Sequence, residues 1–179
     1  MAEVVSKIYI DWDATDWTAT PDFGQDIDDI TIFVQRFSIS RGKSSELGNA
    51  PSGTLELVLN NSDKRFSPTI PASPLYGKIR PWLPVKLIAE LGIESYTKYS
   101  GFISKIEVNP HKSVQKAYIY VTDGMDLLAR QLITQDTANP ETLTDGAAVG
   151  KVLDAAGWGA NRTIDTDGGN VKYPICSEY

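Results

Sequence analysis

Cysteine and histidine are nearly missing from this chain of 179 residues: it has one of each, Cys176 and His111. A single cysteine excludes an internal disulfide, which fits synthesis and folding in a reducing cytosol. One cysteine and one histidine cannot build an ordinary structural zinc site. A Ser-His-Asp triad would have to use His111, which sits in an Asn-Pro-His-Lys turn, and no Gly-x-Ser-x-Gly elbow is present. Cys176 has no basic neighbour to activate it and reads as an inert thiol. No Gly-rich loop opens a helix to cradle phosphate, and no carboxylate pair is set apart by spacing as a glycosidase needs. Long apolar runs are absent too, none approaching the ~18 residues of a membrane helix. The first residues lack the charged-then-apolar layout of a signal peptide.

Positive charge is missing from one segment. Between Ile8 and Gln35 there are seven aspartates (11, 13, 16, 22, 26, 28 and 29) and no Lys or Arg. From Arg36 onward 16 basic and 15 acidic residues nearly cancel, so the formal charge of −6 belongs to the N-terminal part. No basic patch or stripe of the kind that binds nucleic acid is visible. Asp11, Asp13 and Asp16, and again Asp26, Asp28 and Asp29, invite a calcium reading. The first cluster fails the twelve-residue loop pattern, because Trp17 follows Asp16 and no Glu closes the site. The expectation is a solvated acidic loop, with no metal and no cofactor.

What is present is alternation. Leu55, Leu57 and Leu59 fall two apart, with Thr54, Glu56 and Val58 between them, which predicts a strand with one buried row. Asn60-Asn61-Ser62-Asp63 stops it, since these side chains bond their own backbone in turns. Pro68, Pro71, Pro74 and Pro81 exclude a helix from the next twenty residues. Another strand starts at Pro84 and runs through Val85, Leu87 and Ala89. Residues 4–11 alternate as a first strand, 12–27 read as an irregular loop, and 28–40 read as a second strand. Ile30, Ile32 and Val34 share one face of that strand, and a phase slip before Phe37 predicts a bulge. Residues 95–108 form a strand with Gly101 inside it, the sign of a sharp bend or close backbone approach, and 114–122 form its partner. Asp123 caps a helix. Residues 145–156 read as a second helix, with Ala148, Val149, Val152 and Leu153 on one face and Gly157 as its left-handed stop.

These pieces predict a mainly β protein: a curled or barrel-like antiparallel sheet with an edge helix, plus a small α/β C-terminal segment. The expected organisation is a β-barrel-like domain over 1–133, a linker over 134–142, and a small appendage or the start of a second domain over 143–179. Closing a sheet removes edges that would otherwise pair without control.

The stretch Gly53-Thr-Leu-Glu-Leu-Val-Leu-Asn-Asn-Ser-Asp-Lys-Arg-Phe-Ser-Pro68, then Ser73-Pro-Leu-Tyr-Gly-Lys-Ile-Arg-Pro81, resembles the tail-tip and baseplate-hub proteins of tailed bacteriophages. Tyr99-Ser-Gly-Phe-Ile-Ser-Lys-Ile-Glu107 and Val121-Thr-Asp-Gly-Met-Asp-Leu-Leu128 continue the resemblance in the same order, over roughly residues 28–130. It implies the N-terminal part of a hub: a structural virion protein, made in the host cytoplasm, that joins the tail tube to the tip. It also implies a homo-oligomer, a trimer, ringed around the tail channel and bound to other tail-tip and baseplate proteins. No enzyme activity, specific nucleic acid or membrane segment is implied.

Under that resemblance the loops 41–52 and 61–80 are the expected contact surfaces. Arg65, Phe66, Tyr76 and Arg80 are the expected anchors, because Arg and aromatics are enriched at interface hot spots. The alternative for Phe66 and Tyr76 is that they pin their own long loop to the domain. A rival function is a carbohydrate-binding tail module that stacks host glycans on Trp12, Trp17, Tyr96, Tyr99, Tyr118 and Tyr120. Tyr118 and Tyr120 share a strand face, although ordinary cross-strand packing uses aromatics in the same way.

Overall fold

The structure is a computed structural model and describes residues 4–42, 51–109, 115–130, 144–158 and Ile164. The chain divides into two compact units, Met1–Leu127 and Leu128–Tyr179. In the first, β1 (Val4–Ile10), β2 (Val34–Ser40), β3 (Thr54–Asn60), β4 (Pro84–Leu91), β5 (Glu94–Val108) and β6 (Lys116–Thr122) form one sheet. Its order is β1-β4-β5-β6-β3-β2, and every pairing is antiparallel. The sheet curls into a half-barrel, so the protein is mainly β as its alternation predicts.

The curl has local causes. Register shifts leave Gln35 in β2, and Lys98 and Ser104 in β5, without an opposite partner. Such an extra residue bends its strand and raises the local twist. Gly101 adds a close approach between β5 and β6: a Cβ there would lie 2.4 Å from the Thr122 carbonyl oxygen. The Tyr99 ring covers the same spot, with its edge 2.9 Å from that position. The β4–β5 hairpin turns at Gly92, whose φ of 63° a side chain resists.

The buried rows follow the period of two. Leu55, Leu57 and Leu59 of β3 face Val121, Ile119 and Ala117 of β6, and all six are buried. Val85 and Leu87 of β4, with Ile8 and Ile10 of β1, extend the layer. Trp12, Phe66, Leu75 and Leu83 come to it from the loops.

The second strand departs from the sequence expectation. Residues 28–40 do not form one strand: Asp29 makes a single bridge to Tyr9, Thr31–Phe33 is a 3-10 turn, and β2 starts at Val34. The turn breaks the two-residue period, so Ile30 is buried (1% exposed) while Ile32 is 84% exposed. The Ile30 N–H donates to the Ile8 carbonyl at 3.0 Å, and the Ile10 N–H donates to Asp28 at 2.9 Å. A strip at 28–30 thus lies on the free side of edge strand β1, and after the three residues of the turn the chain enters the other edge strand, β2.

Helix α1 (Gly124–Arg130) starts where Asp123 Oδ1 accepts the N–H of Met125 at 3.0 Å. Helix α2 (Asp145–Ala155) is capped by Thr144 and followed by Gly157 at φ 80°. Its expected apolar face is not buried as a unit, because Val149 and Val152 are 50% and 43% exposed. The linker at 134–142, His111, Cys176 and residues 43–50 of the 41–52 loop lie outside the described residues. No described helix is long and apolar enough to cross a membrane.

Candidate functional site

The connection from β3 to β4 is ordered, and Asn61 organises it. Its side chain is buried; Oδ1 accepts the Phe66 N–H at 2.9 Å, and Nδ2 donates to Ser67 Oγ at 3.1 Å. Its backbone closes the next turn, the Lys64 N–H donating to the Asn61 carbonyl at 3.0 Å. Further turns follow at Ser67, Ile70, Ser73, Tyr76 and Lys78, each closed by a backbone bond. Ser73 ties the loop to itself: Oγ donates to the Arg65 carbonyl at 2.5 Å and accepts the Leu75 N–H at 3.1 Å. The end is stitched to β5, where Trp82 donates to the Ile103 carbonyl and Ile103 donates to Leu83. Alternation stops at Asn60 because from there side-chain bonds replace a strand ladder.

Between this connection and the β5–β6 end of the sheet lies a groove of about 560 Å³. Pro68, Ile70, Ile79, Pro81, Ile106 and Val108 give it an apolar lining, and Lys64 and Arg80 supply its charged groups. Among the described residues no carboxylate lines it.

The four expected anchors separate. Phe66 is buried at 1% exposure, edge-on to Phe33 at 5.6 Å and tilted against Trp12 at 6.2 Å. It pins the connection to the core and offers no surface to a partner. Arg65 lays its guanidinium over the Phe33 ring at 4.1 Å, with Nε 3.4 Å from Asp63 Oδ2. Arg80 donates Nη2 to the Ala14 carbonyl and lines the groove. Tyr76 is the outward one, 53% exposed. The groove itself was not read from the sequence, because its walls come from three separate segments.

The acidic loop is built on its own carboxylates. Asp11, buried, accepts the N–H of Asp13, Ala14 and Asp22 at 3.1, 2.9 and 2.9 Å. Asp16 accepts from Thr18 and Ala19, and Asp28 accepts from Gln25 at 3.1 Å. These bonds fix an irregular stretch that leaves Trp12 in the core. Among the described residues no three His, Cys, Asp or Glu side chains gather as metal ligands. The Lys78 ammonium, 2.7 Å from Asp13, holds that carboxyl below the usual carboxylate range. Its hydroxyl neighbour Thr18 does the same for Asp16, while burial pushes Asp28 up.

The aromatic set divides as well. Trp12 and Tyr99 are buried. The Tyr99 hydroxyl donates to the Gly53 carbonyl at 2.8 Å, and burial raises its pKa, so it stays a neutral donor. Asp123 completes this latch, Oδ2 accepting the Gly53 N–H at 2.5 Å. Tyr118 and Tyr120 lie on the outer face of β6, opposite Val58 and Glu56 of β3. Tyr120 is engaged there, with Lys105 Nζ 5.8 Å from its ring and Glu107 Oε2 3.4 Å from its hydroxyl. No protein-family model matches the chain, and no curated protein matches it.

Proposed function

We propose that this chain is a structural, non-enzymatic virion protein of a phage tail tip or baseplate hub, joining the tail tube to the tip through ring-forming subunit contacts. The observation that carries the reading is the ordered connection from Asn61 to Pro81. Residues of the resembling motif, Asn61, Phe66, Ser67 and Ser73, hold it against the half-barrel, and Tyr76 stands outward from it. A surface loop fixed before it meets a partner loses less conformational freedom on docking, which favours assembly. Native mass spectrometry over a concentration series tests this. The expected result is a discrete trimer or hexamer that Tyr76→Ala weakens without loss of the fold. A strict monomer at the highest concentration, alone and with tail-tube protein added, sinks the reading.

A second reading, glycan recognition, draws on the outer-face pair Tyr118 and Tyr120. Binding on a glycan array that Tyr118→Ala abolishes would favour it over assembly.

A further inference from the structure

Among the described residues, the charged groups that line the groove beside the connection are both cations, Lys64 and Arg80. Lys64 stands at φ 61°, a left-handed conformation that disfavours any residue with a Cβ. Among the described residues its ammonium makes no ion pair. Arg80 uses one N–H on the Ala14 carbonyl; the Asp13 and Asp16 carboxyls on either side of Ala14 feel its charge from beyond ion-pair distance, so a docking carboxylate shares Arg80 with the acidic loop. Ile70, Ile79, Ile106 and Val108 line the same groove. An apolar lining that includes two cations is complementary to a branched apolar side chain accompanied by carboxylates. Gln115 at the groove adds an amide able to donate and accept along a peptide backbone.

We infer that the groove receives an extended acidic segment of a neighbouring protein, seating one branched apolar side chain on the isoleucine lining and carboxylates on Lys64 and Arg80. The inference deepens the assembly reading and rests on it for the neighbour being a protein. The groove's lining and charge stand independently of it.

The test uses the full 179-residue chain, labelled with nitrogen-15 and titrated with the blocked heptapeptide Gly-Asp-Ser-Ile-Ser-Glu-Gly, whose Asp, Ile and Glu share one face when extended. Saturable shifts are expected at the groove residues, weakening as salt rises from about 0.05 to about 0.5 M. The neutral peptide Gly-Asn-Ser-Ile-Ser-Gln-Gly should bind roughly tenfold more weakly, because charge-assisted bonds are the stronger ones. Lys64→Gly should weaken the acidic peptide without lowering Tm, since glycine relieves the positive φ while removing the charge. Equal binding of the two peptides, shifts centred elsewhere, or no shift at millimolar peptide overturns the inference. So does 4-methylpentanoate binding as tightly as the peptide, which would make the groove a small-acid site. Peptide binding by a chain that never assembles would instead sink the assembly reading and leave the groove standing.

Discussion

Asn61 shows how one side chain can order a long segment. It satisfies the buried Phe66 N–H and holds Ser67 Oγ, and Phe66 then carries the connection into the core. Asn61→Ala removes both bonds and leaves an amide N–H buried without a partner, a cost of about 2–4 kcal/mol. Asn61→Asp keeps the acceptor for Phe66, and the Ser67 hydroxyl can turn to donate, so it should cost about 1 kcal/mol. Urea midpoints at constant m distinguish the two; equal losses would show that Asn61 acts through packing alone. The Asp13–Lys78 pair makes a pH-dependent contribution. Its carboxyl is depressed in the folded state, so the stabilisation is present above the ordinary Asp value of about 4 and is lost as pH falls through the lower folded value. Asp13→Asn should therefore cost about 0.5 kcal/mol at neutral pH and nothing at strongly acidic pH. Asp28, raised by burial, acts with the opposite sign, its ionised form penalised as pH rises. A midpoint difference between wild type and Asp13→Asn that does not shrink on acidification would rule out the ion pair as its source.

At the scale of the element, the strands with a regular period of two were legible and the stretches that break it were not. Leu55, Leu57 and Leu59 announce β3, the slip before Phe37 marks the β2 bulge, and Gly101 marks the tight β5–β6 approach. Residues 28–33 misled because Ile30, Ile32 and Val34 mimic a strand face, whereas backbone bonds from 28–30 to β1 and a 3-10 turn set their directions. The same loss of period hid Trp12, whose burial depends on aspartate–backbone bonds that leave no apolar pattern. The two isoleucines test the account directly. Ile30→Ala should cost about 2–4 kcal/mol, and Ile32→Ala should stay within about 0.5 kcal/mol. Similar losses at both, by chemical denaturation, would restore the single strand.

For the whole molecule, the cluster of buried hydrophobics decides what can stand alone. Every member, from Ile8 to Val121, lies in the first compact unit. The sheet's six strands lie there too, and the strip at 28–30 covers the outer side of β1 from Ile8 to Ile10. A fragment ending after Arg130 therefore retains the described core, all the described strand pairings and the Asp123 latch to Gly53. It falls in the size range where one hydrophobic core supports cooperative folding, about 100–150 residues. The fragment should unfold in a single urea transition, with β-type circular dichroism and an m value scaled to its exposed surface. Coincident transitions by tryptophan fluorescence and circular dichroism are the expected outcome, because Trp12 reports on the core and the strands on the sheet. A fragment that is soluble but lacks a cooperative transition would mean that the core needs residues after 130 to fold.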